Sequence, residues 1–272
     1  MAIDVSVILL TYNCDYEKTI TTLNSIINQE NVALELIIAD DGSTDSHQKK
    51  IEGYVRNRQV ANFHFVANPI NQGTVKNCLS GLAVASGKYV YFISPGDLIF
   101  DRDTLSEFHR FALDQDANIC FGNTQCFQEQ AGSFKLVNER LPRFPQIYNW
   151  KFSNYLIGRI GLVYGQRVFG PAYLRKRSVI TEYLEKIEGK IIYMEDTPTS
   201  LLYLLDGNHL TYFDRYVVWY EHGTGITTSN GGVMNPRIAK DNQALELLLK
   251  KDYGRNRIVH SKYFCNRLKM AL

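Results

Sequence analysis

Long apolar runs are missing from this chain of 272 residues. No stretch reaches the ~18 consecutive apolar residues that a membrane span needs, so no segment reads as a transmembrane helix. Met1-Ala2-Ile3-Asp4 leads straight into a strand pattern, without the basic and apolar regions of a secretory leader, and the chain is expected in the cytoplasm. Cysteine is sparse. Cys14, Cys78, Cys120, Cys126 and Cys265 are odd in number and lack CxxC spacing, which argues against a disulfide framework or zinc site and for free thiols. No GxGxxG follows the first apolar run, which excludes a dinucleotide site of the usual glycine-rich kind. Acidic residues are absent from Arg140 to Thr181, where eight basic residues stand, and nine Lys and Arg face three Asp and Glu from Arg237 onwards. The formal charge is only +2, so the rest of the chain is acidic. Such segregation turns the later segments towards something anionic (a phosphorylated substrate, an anionic lipid surface or nucleic acid) or leaves them as solvated basic faces. No nucleic-acid recognition module accompanies it, and no nucleic-acid partner is expected.

What is present is an α/β pattern. The hydrophobic, aromatic and charged fractions of 45%, 12% and 21% are those of a globular chain able to bury a sizeable core. At the centre stands Leu34 to Ala39, an apolar run that ends abruptly in Asp40-Asp41-Gly42-Ser43-Thr44-Asp45. A short apolar run bounded by turn residues reads as a strand buried on both faces. Open α/β sheets bind ligands outside the carboxyl ends of their strands, which puts Asp40 and Asp41 at the mouth of a crevice. A solvated turn with a capping aspartate is the plainer alternative. Further strands are predicted at 5–10, 62–66 and 89–93, and helices at 16–28, 46–56 (capped by Thr44 or Asp45) and 74–86. Strands and helices alternating at this spacing predict a mostly parallel, doubly wound sheet. Later, 108–113 finishes a helix, 117–122 is a strand, 125–145 reads as polar and turn-rich, and 237–251 is an amphipathic helix.

Four segments occur in a telling order: Val5-Ser6-Val7-Ile8-Leu9-Leu10-Thr11-Tyr12-Asn13, the Asp-Asp-Gly-Ser-Thr-Asp stretch, Asn71-Gln72-Gly73, and Gly87-Lys88-Tyr89-Val90-Tyr91-Phe92. In these the chain resembles family 2 glycosyltransferases over residues 4 to about 105, and again around Glu195-Asp196 and His222. The resemblance implies a GT-A (Rossmann-like) fold, a mostly parallel central sheet flanked by helices. The implied division is a transferase domain at 1–230, with a nucleotide-binding half (1–105) and an acceptor-binding half (106–230), then a basic helical extension at 231–272. It also implies inverting transfer of a sugar from a nucleotide-diphosphate donor, UDP-linked by preference, to a glycan or lipid-linked acceptor in cell-surface polysaccharide synthesis. Thr11, Tyr12 and Asn13 would line the nucleoside pocket, Tyr12 against the base, although Tyr12 alone reads equally as a core aromatic. Asp40 and Asp41 would stand beside them, Asp41 accepting from the base imide as an acceptor-only carboxylate can. Gly73, Lys76 and Ser94 would complete the nucleotide side. Asp196, with Glu195 beside it, aligns with the acidic pair that supplies the base for the acceptor hydroxyl. Capping of the helix predicted at 197–205, with Pro198 in its first turn, is the other reading of both acids.

The chain departs from the family pattern twice. Where an Asp-x-Asp-Asp-like metal motif is usual, it reads Ser94-Pro95-Gly96-Asp97. Asp97 is then expected to be the main protein ligand of Mg²⁺ or Mn²⁺, with His222 as a second, unless Asp97 merely closes a Pro-Gly turn. The Arg-Asn pair common after the Asn-x-Gly turn is Cys78-Leu79 here, leaving Lys76 as a cation for the diphosphate or as an ordinary surface lysine. The aromatic, arginine-bearing stretch from Tyr148-Asn149-Trp150 to Phe169-Gly170-Pro171-Ala172 is expected on the acceptor side. After His222, glycines would let a loop close over the donor. The basic tail from Arg255 to Lys269 would rest on an anionic membrane, pack on the domain, or meet a partner chain such as a second copy in a homodimer. The degenerate motif also suits a non-catalytic subunit that binds acceptor beside an active transferase.

Overall fold

The computed structural model describes residues 2–130, 133–138, 142–150, 153–165, 167–225 and 234–263. The first strand, β1 (Val5–Thr11), is buried at every residue, and β2 (Leu34–Asp40) from its second residue on. Apolar side chains on both faces are stable only inside a sheet covered on both sides. With β3 (Phe63–Ala67) and β4 (Tyr89–Ile93) they form a parallel block in the order β3-β2-β1-β4. Helices α1 (Tyr16–Ile27), α2 (Gln48–Asn57) and α3 (Thr74–Val84) connect the four strands. Thr11 lies opposite Asp40, Asp40 opposite Ala67, and Leu9 opposite Ile93, so the turns after all four strands emerge at one edge.

Beyond β4 the sheet becomes mixed. The elements are β5 (Leu98–Ile99), α4 (Thr104–Asp114), β6 (Ile119–Gln130), β7 (Ser133–Val137), α5 (Ser153–Tyr164), β8 (Tyr173–Lys176), α6 (Arg177–Ile187), α7 (Asp196–Leu205), β9 (Thr211–Glu221) and α8 (Pro236–Tyr253). The sheet continues β4-β8-β6-β9-β5, with β7 beside β6. Two antiparallel pairings matter for the site. β8 on β4 carries residues 169–171 to the carboxyl edge of the parallel block. The pairing of β5 with β9, Leu98 opposite Trp219, sets Glu221 beside the turn that ends in Asp97.

The expected α/β fold is the one observed, with local corrections. Neither Thr44 nor Asp45 caps α2; its N-cap is His47 at φ 54°, and Asp45 Oδ1 instead accepts the His47 N–H at 2.9 Å. Residues 44–47 are spent on that turn, so the helix starts later than predicted. The segment 125–145 is not a run of turns through its first part. β6 runs to Gln130 and pairs with β7, with Thr124, Cys126 and Phe127 buried within it. Helix α5 occupies part of the predicted acceptor segment. Ile238, Leu245, Leu248 and Leu249 of α8, and Ile258 and Val259 beyond it, lie in the same core as β1, so this part of the basic tail packs on the domain. Arg267, Lys269 and Cys265 lie outside the described residues, as do Arg140, Lys151 and the loop at 226–233. Among the described residues no helix is long and apolar enough to cross a membrane.

Candidate active site

A cavity of about 400 Å³ opens at the carboxyl edge of β1, β2 and β4, where parallel sheets place ligands. Thr11, Tyr12, Asp41, Gly73, Ser94, Asp97, Glu195 and Asp196 all line it. The structure thus brings together most of the residues singled out from sequence. Tyr12 is 44% exposed, which removes its reading as a core aromatic. Asp41 is buried and spends its oxygens on Asn68 Nδ2 (3.0 Å), Gln72 N–H (2.9 Å) and Gly73 N–H (2.7 Å). One carboxylate therefore both faces the cavity and holds the Asn-x-Gly turn. Gly73 needs to be glycine: its φ is +91°, and a Cβ would sit 2.7 Å from the Ile192 carbonyl oxygen.

Four expected residues do not line the cavity. Asp40 is buried behind it, where Thr11 Oγ1 (2.9 Å), Ser43 N–H (2.9 Å) and Ser43 Oγ (2.6 Å) donate to it. Asn13 ties the same two loops, its N–H donating to Ser43 Oγ at 2.7 Å and its Oδ1 accepting the Thr44 N–H at 2.9 Å. Both are braces. Lys76 points away to an ion pair with Glu188 at 3.4 Å, and Thr74 and Asn77 are the α3 residues that line the cavity. Asn77 Nδ2 donates to the Ala39 carbonyl at 2.8 Å, and its buried Oδ1 has no partner among the described residues. His222 also lies outside the lining; its N–H donates to the Phe127 carbonyl at 2.7 Å, extending the β6–β9 pairing.

The neighbour of His222 takes the inward place. Glu221 N–H donates to Asp97 Oδ1 at 2.9 Å, and Glu221 Oε1 accepts an ion pair from Lys18 of α1. Burial and the adjacent Glu221 carboxylate push Asp97 up to about 8, against that N–H, which pulls it down. Glu221 Oε2 is buried without a hydrogen-bond partner, packed where a Cβ on Gly96 (φ +101°) would be. A divalent metal finds poor ligands on this wall. Asp97 Oδ1 and Glu221 Oε1 are taken, Ser94-Pro95-Gly96 replace the acids of the usual motif, and His222 is not present. Among the described residues no three His, Cys, Asp or Glu side chains gather as a ligand set. Asp97 Oδ2 and the unpartnered Glu221 Oε2 are the acid oxygens that remain for a cation on this side, fewer than the usual motif supplies.

The Glu195-Asp196 side of the cavity is built from remote pieces. Asp241 of α8, buried, accepts the N–H groups of Ile192 (3.1 Å), Tyr193 (2.6 Å) and Met194 (3.0 Å) and so fixes the loop that delivers Glu195 and Asp196. Glu195 occupies the N-cap of α7 without a side-chain capping bond, and Asp196 opens the helix, with Pro198 in the first turn as predicted. Asp196 Oδ1 accepts the Thr197 N–H at 2.5 Å. Glu195 is held well above the ordinary carboxylate range by burial and by the Asp196 charge, opposed by the buried Arg175. Arg175 Nη2 donates to the Gly170 carbonyl at 3.3 Å, and its guanidinium lies 4.3 Å from the Tyr173 ring centre. Of the aromatic stretch, Phe169 to Pro171 reaches the cavity, Phe169 stacked on Tyr220 at 4.3 Å, whereas Tyr148 is buried against Phe121. Sequence reasoning missed Lys18, Asn77, Tyr193 and Arg237, all of which line the cavity. Only the register of β5 on β9, and the seating of α8, bring the relevant segments together.

Residues 6–183 match the sequence model described as Glycosyl transferase family 2, which covers more than half of the chain. The chain belongs to glycosyl transferase family 2. The chain is 31% identical over 125 residues to the poly(ribitol-phosphate) beta-N-acetylglucosaminyltransferase TarP of Staphylococcus aureus (strain N315), covering 43% of this family 2 member and 36% of TarP. It is 31% identical over 135 residues to the uncharacterized glycosyltransferase YibD of Escherichia coli (strain K12), covering 48% of this chain and 37% of YibD. The chain thus spans little more than a third of the length of these relatives. In fold it is similar to S. aureus TarS 1–349 in complex with UDP-GlcNAc, with TM-score 0.66 and 19% identity over 96% of this chain and 72% of that one. It is likewise similar to the mannosyltransferase PcManGT of Pyrobaculum calidifontis in complex with GDP-Man and Mn²⁺, with TM-score 0.58 and 16% identity over 96% and 69% of the two chains. These likenesses establish the GT-A fold.

Proposed function

We propose that the chain is an inverting glycosyltransferase that uses a nucleotide-diphosphate sugar, UDP-linked by preference, and an acceptor hydroxyl of a glycan or lipid-linked intermediate. The observation that carries the reading is that Tyr12, Asp41, Glu195 and Asp196 line one cavity. The uracil lies at Tyr12 and Asp41, and the sugar points towards α7. Asp196 accepts the proton of the acceptor hydroxyl as its oxygen bonds to the anomeric carbon. The bond from that carbon to the β-phosphate oxygen breaks, and the electron pair leaves with the nucleoside diphosphate. A base positioned in this way contributes typically ~10²–10⁴-fold. Glu195, its proton held by burial, keeps the pair from carrying two adjacent negative charges.

The donor side of a relative supports the nucleotide class, since TarS is described with UDP and with UDP-GlcNAc. Mg²⁺ or Mn²⁺ is left out of this mechanism, because only Asp97 of the expected pair Asp97 and His222 lines the cavity, and Glu221 beside it is paired with Lys18. The exposed basic residues Arg255 and Arg257 beyond α8 suit an anionic lipid surface, where lipid-linked acceptors of surface polysaccharides are found. The reading is tested by titrating UDP, GDP and the UDP sugars into the chain and following nucleotide release with a panel of saccharide acceptors. UDP binding and acceptor-dependent UDP release are expected. Binding with no release under any acceptor would favour a non-catalytic binding subunit instead.

A further inference from the structure

The carboxylate motif at the end of β4 is depleted, yet the cavity wall beside it is not without positive charge. Lys18 stands in the first turn of α1, one helical turn before Thr22, so the two side chains share a face. Thr22 is clamped to the turn after β4: its Oγ1 donates to the Asp97 carbonyl at 2.8 Å and accepts the Gly96 N–H at 3.0 Å. That clamp fixes the register of α1 against Asp97, and Lys18 consequently meets Glu221 inside the cavity lining. Glu221 is in turn held by its own N–H to Asp97. Its carboxylate is 5% exposed, whereas Lys18 keeps 37% of its side chain open. A buried acid that fixes an exposed ammonium at a ligand wall has aimed a cation, at the end of the cavity where Ser94 and Asp97 stand.

We propose that Lys18 is the cation that binds the diphosphate of the donor, positioned by Glu221, in the place where a fuller carboxylate motif would hold a divalent metal. An ammonium has three donors, so it keeps its bond to Glu221 while donating to phosphate oxygens. In the transfer step it stabilises the negative charge that develops on the leaving β-phosphate oxygen. Gly96 belongs to the device, because any Cβ there would displace the Glu221 carboxylate. The inference rests on the reading that this cavity takes a nucleoside diphosphate.

The test compares UDP with uridine by calorimetric titration on the metal-stripped chain, for wild type, Lys18→Met and Lys18→Arg. Wild type is expected to bind UDP more tightly than uridine. Lys18→Met should lose roughly ten- to hundredfold in UDP affinity and keep its uridine affinity, and Lys18→Arg should recover most of the loss. Added Mn²⁺ or Mg²⁺ should change wild-type UDP affinity by less than about threefold. A Lys18→Met chain that keeps the full preference for UDP, or a wild type that binds UDP only with Mn²⁺, overturns the assignment while leaving the donor site intact. A wild type that binds neither uridine nor UDP overturns the donor reading itself, and this inference with it. Thermal unfolding of each variant accompanies the titrations, and the retained uridine affinity separates a lost contact from a lost fold.

Discussion

Two acid pairs border the cavity, and their counter-charges differ. Asp97 and Glu221 are accompanied by Lys18, a cavity-lining residue whose side chain is 37% exposed, whereas Glu195 and Asp196 lie near Arg175, which is 2% exposed. An open ammonium can exchange water for a ligand's phosphate at little cost. A buried guanidinium has no such freedom, and it acts only by holding neighbouring groups in place and in their charge states. Arg175 Nη1 even lacks a hydrogen-bond partner among the described residues, a cost that the nearby acids oppose only in part. The difference separates a wall arranged for a ligand's charge from a wall arranged for its own.

The comparison can be broken most sharply at the base. Asp196→Asn should lower acceptor-dependent transfer by roughly 10²–10⁴-fold, measured as UDP release, and leave UDP affinity within about twofold. If the two acid pairs were interchangeable, affinity would fall too. Arg175→Met removes a buried charge from beside Glu195 and Asp196 and should cost roughly 3–5 kcal/mol in urea unfolding, where an open surface cation would cost little. Asp241→Ala strands three backbone N–H groups and should cost about 3 kcal/mol, with transfer lost before UDP binding is.

Asp97 offers a pH test of the other wall. Its folded value, about 8, lies above the ordinary 3.8, so the folded chain retains a proton that the unfolded chain releases. That contribution is complete below about 3.8 and is lost as pH rises towards 8. Asp97→Asn should therefore gain on wild type between pH 5 and 8, by up to about 1.4 kcal/mol per pH unit in urea unfolding. A constant difference across that range would mean the carboxylate is ionised throughout. The smallest effect is expected at Lys76: Lys76→Ala should alter stability and UDP affinity by no more than about 0.5 kcal/mol, since its pair with Glu188 is exposed.

The parallel block was legible because each of its strands carries its burial in its own composition. Val5 to Leu10 and Leu34 to Ala39 admit few other placements, and Thr11, Tyr12 and Asp41 follow directly from where those runs stop. The same logic left Lys76 open between a diphosphate cation and a surface lysine and passed over the inward Asn77 beside it, because a step of one along a helix turns the side chain by about 100°. It also favoured His222 over Glu221, although adjacent strand residues face opposite sides. The second half was less legible for a different reason. Its strands pair with partners far along the chain, as Leu98 does with Trp219, and its loops are held by single buried groups such as Asp241. Local patterns carry no trace of such pairings. Arg237 illustrates the limit: beside Asn235-Pro236 it reads as the first turn of a surface helix, and only the packing of α8 brings it to the cavity, 5.3 Å over the Tyr193 ring.

The central claim is that one cavity takes the donor with its nucleoside at Tyr12 and Asp41 and its sugar towards Asp196. A crystal structure of the chain soaked with a UDP sugar tests it directly. The account predicts the base at Tyr12 with its imide donating to Asp41, and the anomeric carbon on the side of α7. A nucleotide bound elsewhere, or lying in the cavity with its base at Asp196, would contradict it.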